Sequence, residues 1–336
     1  LSHELTSTDG MFSVREMPWH RLGTVLTEYP TREEAQKIAH DWEPVAQPLY
    51  RRVPSIDAEG NLSSEYEEVK GYVAQERSDN GNLIAATTDT LVTVTNGELY
   101  DLAEAIEKGD GTVTDVQYET GGSLNGGKQV WLMMRLAEPL LINGDPNGAT
   151  IPFYLLQNNH DGMGSLRGAA TNVRVVCANT VRAADLDSKA RGTEFTFKHT
   201  LNIGDRVEEA RAALAGWRES VETYRTLAEF MLTEKVSKKG EREFLERFIP
   251  APLSTMTSDR VKHNIEEARG EWMSVYNSVT NEGITGTAWG LLQASSEWSE
   301  HVRRANSRES RFRRAVLKPN SIISDAKELA LAAATI

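Results

Sequence analysis

A single cysteine, Cys177, in a chain of 336 residues excludes an intrachain disulfide, so packing and hydrogen bonds must hold the fold, as in a reducing compartment. Long hydrophobic runs are missing too: no stretch approaches the ~20 apolar residues that span a bilayer, and residues 1–10 are polar without an apolar signal core. The expectation is a cytoplasmic protein with no membrane partner. Positive charge is scarce. With 37 Lys and Arg against 49 Asp and Glu, the formal charge of −12 opposes non-specific attraction to nucleic acid or an anionic membrane over the surface as a whole, while leaving room for a local basic site. Metal-ligand signatures are absent, with no His-Glu-x-x-His, no paired cysteine and no carboxylate triad of recognised spacing, so neither a metal nor a cofactor is expected.

What is present is ordinary globular composition, with 39% hydrophobic and 26% charged residues, enough to bury a core in one large or two smaller domains. Residues 1–43 read as an arm and a short helix, because Thr31 and Glu34 form a capping box ahead of Ala35, Ile38 and Trp42. From 44 to 203 short runs rich in Val, Thr and Tyr, at 49–53, 69–73 and 83–94, alternate with turn signals such as Asp57-Ala58-Glu59-Gly60. A helix is expected over 98–108, then a hairpin whose strands at 113–118 and 129–136 flank a mobile glycine-rich loop, Gly121 to Gly127. Strands follow at 151–157, 172–177 and 194–199, with a helix over 179–190. After Gly204 the period changes. Val207, Ala210, Leu214, Trp217, Val221, Tyr224, Ala228 and Met231 recur at steps of three and four, the seam of a long amphipathic helix. Val261, Ile265, Ala268, Trp272, Val275 and Val279 repeat it behind Ser258, and Ala288, Leu291, Ser295, Trp298 and Val302 repeat it more weakly. The class is therefore α+β, an antiparallel or mixed sheet with helices over 44–203, followed by a long-helix region over 204–336.

Several separated stretches carry a family resemblance: Pro18-Trp19-His20-Arg21-Leu22-Gly23-Thr24, Thr120 to Gly127, Asn159-His160-Asp161-Gly162, Arg174-Val175-Val176-Cys177-Ala178-Asn179-Thr180 and Gly286-Thr287-Ala288-Trp289-Gly290. In this order they resemble the DUF932 proteins of phages, prophages and plasmids. The resemblance implies a mobile-element protein in a host cytoplasm, and it carries no activity to individual residues.

Each chemical candidate has a plainer alternative. Cys177 closes an apolar strand pattern, and a nucleophilic thiolate would need a neighbouring cation or base such as His20, His160 or His199; the alternative is a buried structural cysteine. His160-Asp161-Gly162 opens a glycine-containing loop, read either as a site or as a turn in which Asp161 caps backbone groups and His160 packs. The Gly121 to Gly127 stretch lacks the lysine-serine pair of a phosphate loop and leads into a strand, which leaves a flexible hairpin. The strongest charge signal is Arg303, Arg304, Arg308, Arg311, Arg313, Arg314 and Lys318, with Phe312 interleaved and Glu309 the one acidic break. It would neutralise phosphates and stack a base, or else pair, as a solvated helix face, with the acidic surface of another subunit or of the Glu-rich helix Asp205 to Glu222.

The coarse order of elements is similar to Rad52-like single-strand annealing proteins, an analogy of topology without shared motifs. The first reading is thus a non-catalytic protein of recombination that binds single-stranded DNA as a homo-oligomer through the Arg303 to Lys318 cluster, Lys128, Arg167 and Arg174, with Arg51 and Arg52 as further contacts. The second is a protein-binding module that acts on a host or defence component. An enzyme using Cys177 or His160 is the third.

Overall fold

The capping box expected at Thr31 is in place: its hydroxyl accepts from Glu34 N and the Glu34 carboxylate accepts from Thr31 N at 2.9 Å. It starts helix α1, Arg32–Ala39, in a computed structural model that describes residues 9–15, 23–56, 60–108, 116–136, 138–174, 179–181, 195–197, 209, 221–251, 258–304 and 321–336. The arm expected before α1 instead holds strand β1, Met11–Val14, and strand β2, Thr24–Leu26, paired in parallel. Four and three residues are too few to show a period, which is why the sequence conceals them.

The larger sheet is built on β6, Val116–Leu124, β7, Gln129–Leu136, β8, Thr150–Asn159, and β9, Leu166–Arg174, each antiparallel to the next. β1 joins the free edge of β6, and β10, Asn179–Val181, and β11, Phe195–Phe197, both pair with β9. The sheet is mixed, because β1 and β2 run parallel while its other pairings are antiparallel. The helix expected over 179–190 is thus corrected at its start, where Asn179–Val181 extends the sheet; residues 182–190 lie outside the described residues. Alternation along β7 sends Val130, Leu132 and Met134 into the core beneath α1 and helix α2, Asn96–Lys108, while Trp131 joins Met11, Leu124 and Leu155 in a smaller cluster.

The glycine-rich stretch is not a mobile loop. Gly121 to Leu124 form the buried end of β6, and the chain turns only at Asn125–Gly127, where Asn125, Gly126 and Gly127 have φ of 55°, 71° and 98°. A Cβ on Gly122 would sit 2.6 Å from the Trp131 ring, and one on Gly127 would sit 2.6 Å from Trp42. These glycines are there so that two indoles can close over the backbone.

A second sheet of three strands has the order β3, β4, β5, with β3 at Pro44–Ile56, β4 at Leu62–Arg77 and β5 at Leu83–Thr88. The strand expected over 83–94 ends at Thr88, where Asp89 N donates to Gly71 O.

In the C-terminal part residues 221–233 are helical and form α3, followed by α4, Lys238–Phe248, α5, Asp259–Tyr276, α6, Ala288–Glu297, and α7, Ser321–Ala333. The first half of the seam from Val207 lies outside the described residues. Its second half, Tyr224, Ala228 and Met231, is buried among Trp272, Trp289 and Ile323. Helix α6 explains its own weak periodicity: every residue from Ala288 to Ser296 is buried, so no solvent face is left to be polar. The basic residues Lys235, Lys238, Lys239 and Arg242 belong to the entry and first turns of α4, capped by Ser237, whose hydroxyl accepts from Gly240 N. No helix among the described residues is long and apolar enough to cross a membrane.

Candidate functional site

Beyond Gly71 the β3–β4 pair leaves the body of the protein. β5 covers the edge of β4 only from Tyr72 to Glu76, so residues 50–56 and 62–70 make a two-stranded arm with no third strand among the described residues. Gly71, at φ 83°, marks its root, beside a register shift between Pro48 and Tyr50. Such a ribbon is marginal in water unless something packs on it.

Register assigns the arm's faces. Tyr50 lies opposite Glu68, Arg52 opposite Tyr66, Pro54 opposite Ser64 and Ile56 opposite Leu62, which puts all eight on one face. Tyr50 is 56% exposed, Tyr66 73%, Ile56 72% and Leu62 86%. On the reverse face Arg51 holds Glu67 through two hydrogen bonds, the shorter 2.7 Å, and Val53 faces Glu65. Arg52 donates to the Ser64 hydroxyl at 2.7 Å.

The arm's root is fixed by a buried polar network. Glu43, just before β3, accepts from Asn96 N and Gly97 N and so caps α2; burial raises its pKa, the two amide bonds lowering it by less. Asn96 donates to Trp42 O and accepts at its own side-chain oxygen from the His160 ring, 3.0 Å away. The His160 imidazole meets Trp42 edge to face, and the Arg77 guanidinium at the end of β4 lies 4.3 Å from the Trp42 ring centre while gripping Asp79 through two hydrogen bonds. His40, also buried, donates from Nε2 to Gly122 O and accepts at Nδ1 from the Tyr100 hydroxyl. Burial, helped by the nearby Arg77 charge, lowers its pKa to about 4, so the ring is neutral. Every member bonds to structure, and no group of three or more His, Cys, Asp or Glu able to hold a metal occurs among the described residues. This network positions the arm.

The residues singled out in the sequence are scattered. His160 is a packed turn residue, and Asp161 accepts from Met163 N as the plainer reading expected. Lys128 is exposed at the β6–β7 turn, and Arg167 is half-buried on β9 opposite Gln157 and Thr196. Arg174 ends β9; its side chain is outside the described residues, as are His20, Cys177, Arg308, Arg311, Phe312, Arg313, Arg314 and Lys318. Arg303 lies over the Trp298 ring at 5.7 Å and Arg304 is exposed. Among the described residues these cations do not converge on one track. Sequence reasoning missed the arm's aromatic face because residues 63–68, Ser-Ser-Glu-Tyr-Glu-Glu, have the polarity of a loop. The signal that could have found it was Tyr50, Arg52, Pro54 and Ile56 at alternate positions, ahead of a turn and of Leu62, Ser64 and Tyr66 at the same spacing.

No curated protein and no solved structure matches the chain. A family model does: the one described as "Domain of unknown function (DUF932)" matches residues 89–318, from the end of the three-stranded sheet to just before α7. The match spans more than half of the chain, which therefore belongs to the DUF932 family.

Proposed function

We propose that the protein is a binding module whose β3–β4 arm engages a protein partner. One observation carries this reading: Tyr50, Ile56, Leu62 and Tyr66 share a face that no other part of the described chain covers. Apolar surface arranged this way on a projecting ribbon is a docking surface in the free state. A stripe that served the protein's own stability would be covered by its own layers.

The test is a full-length variant carrying Tyr50→Ser, Ile56→Ser, Leu62→Ser and Tyr66→Ser, compared with the parent chain by melting temperature and by the stoichiometric partner each retains from the producing cell. An unchanged melting temperature with loss of the partner is expected. A large fall in melting temperature would make the stripe part of the fold.

A nucleic-acid reading has its own support, because Arg52 stands between Tyr50 and Tyr66 on the same face, a cation and two rings suited to a phosphate and stacked bases. It keeps alive single-strand binding or annealing of the Rad52-like type by a homo-oligomer, with the Arg303 to Lys318 cluster as an additional contact. Titration with an oligo-dT strand at several salt concentrations separates the two. Replacing Arg311, Arg313 and Arg314 by Gln would flatten the slope of log affinity against log salt by roughly 0.7 for each lost phosphate contact. A salt-insensitive or absent interaction favours the protein partner.

A further inference from the structure

The two edges of the arm are not equivalent. β3 carries Pro44, Pro48 and Pro54, and each is in register with β4, opposite Arg77, Val73 and Ser64. In an antiparallel ladder, opposed residues alternate between pairs that exchange both backbone hydrogen bonds and pairs that exchange none. Proline has no N–H to exchange, so Pro54 and Ser64 form a non-bonded pair, and the backbone groups of Ser64 point away from β3. The register is unbroken from Tyr50 to Ile56, so period two assigns the same direction to Leu62, Tyr66 and Glu68. The outer edge of β4 therefore presents N–H and C=O groups at Leu62, Ser64, Tyr66 and Glu68, in line with β5 and beyond its end at Thr88. The outer edge of β3 lacks a donor at each of its three prolines. Prolines on an edge strand prevent strand addition, and here they close one edge while the other is left open by the described residues.

Charge selects what the open edge accepts. The exposed stretch of β4 carries Glu65, Glu67 and Glu68 against Lys70 alone, and the arm's other positive charges, Arg51 and Arg52, lie on the closed strand. A second copy of β4 would set glutamates against glutamates. A second copy of β3 would bring the arginines, but with Pro54 interrupting its ladder.

We propose that the free edge of β4, residues 62–70, is completed by an extended peptide of a partner that alternates basic and apolar residues. Its basic side chains lie beside Glu65 and Glu67 on one face, and its apolar side chains lie beside Leu62 and Tyr66 on the other. The inference rests on the arm being the protein's binding element. Main-chain bonds supply affinity, and the alternating pockets supply specificity, as in strand addition generally.

The probe is a fluorescent nine-residue peptide of alternating lysine and valine, titrated against the full-length protein and followed by residue-resolved amide exchange. Slowed exchange is expected at Leu62, Ser64, Tyr66 and Glu68 and not at Ser63, Glu65 or Glu67, whose amides already face β3. Ser64→Pro removes one outward donor without touching the β3 ladder, and should weaken binding about tenfold, the effect of one or two hydrogen bonds. Ala46→Pro, on the closed edge, should leave affinity unchanged. Because Ser64→Pro could loosen the arm, Glu65→Lys with Glu67→Lys provides a side-chain-only variant, which should abolish binding by reversing the charge beside the peptide's lysines. Peptide bound equally by all variants, or protection without alternation, overturns strand addition. Binding that persists when residues 50–70 are replaced by a two-glycine link overturns the arm as the binding element altogether. An oligo-dT strand that protects the same four amides, where the peptide does not, would assign the edge to nucleic acid and overturn the peptide proposal.

Discussion

The β6–β7 and β3–β4 hairpins share a topology and put their side chains to opposite uses. In β6–β7 the strand end is nearly devoid of side chains, and the space left by Gly121, Gly122 and Gly127 is filled by Phe12, Trp131 and Trp42. In β3–β4 the side chains are large, and most of them face water on both surfaces. A cluster of glycines thus marks the tighter of the two hairpins, because a missing Cβ permits close approach as readily as it permits motion. A run of glutamate, serine and tyrosine marks the projecting one, since pairing without a covering layer needs no apolar alternation. Gly71 makes the point at the root of the arm: it has a positive φ, yet a Cβ there would meet nothing within 4 Å.

The contrast is broken most directly by alanine. Gly122→Ala places a methyl 2.6 Å from the Trp131 ring and 3.0 Å from Gly10 O, a clash with a buried indole on one side and backbone on the other. A loss of about 3 kcal/mol is expected, at the upper end for overpacking a closed site. Gly71→Ala has only the left-handed backbone to contend with and should lose about 1 kcal/mol. Urea unfolding of both variants measures this, and a larger loss at Gly71 would reverse the assignment of rigid and projecting hairpins.

A smaller effect comes from His40, which ties α1 to the buried hairpin through Gly122 O. Its pKa is lowered to about 4 by burial, against an ordinary value near 6.5, so the unfolded chain binds a proton that the folded chain refuses between those two values. Stability associated with the neutral ring is fully present above pH 6.5 and is lost as pH falls toward 4, by about 2 kcal/mol at pH 5 at 1.36 kcal/mol per unit. Unfolding curves at pH 7, 6 and 5 should show this slope, and His40→Gln should flatten it.

What the sequence reveals follows from how much of a residue's environment is local. Thr31 and Glu34 announce α1 because a capping box is satisfied within four residues, and Trp272 and Val275 announce α5 because one face of that helix is buried and another is not. Helix α6 reads weakly because burial on all sides removes the polar half of the pattern. The short β1 and β10 strands do not read at all; three or four residues acquire strand geometry only from the strands beside them, β6 and β2 for β1 and β9 for β10. The same reasoning covers the site. Arg51 and Arg52 are visible as charges, but their pairing with Glu67 and Ser64 depends on a register set twelve to sixteen residues away. His160 is visible as a polar residue in a glycine-containing loop, and only Asn96 and Trp42, brought in by α2 and the chain before β3, make it a packed one.

The smallest effect expected is at the Arg51–Glu67 pair, and it sharpens the contrast from the side of the arm. The two side chains are bonded at 2.7 Å and are 65% and 58% exposed, so water screens their attraction and both must be ordered to meet. An exposed pair of this kind contributes well under 1 kcal/mol, and Arg51→Ala should shift global stability by no more than about 0.5 kcal/mol. The consequence should be local. Freed from Arg51, Glu67 adds one negative charge to the open edge of β4, so the same variant should bind the alternating lysine-valine peptide more tightly and with steeper salt dependence. Arg52→Ala, on the opposite face, should leave the Arg51–Glu67 pair in place and raise affinity less. Unfolding and peptide titration on the same two preparations measure both quantities. A large stability loss from Arg51→Ala would show that the arm is held by its own cross-strand charges, and it would then be a structural element of the fold like β6–β7 and not a surface held ready for a partner.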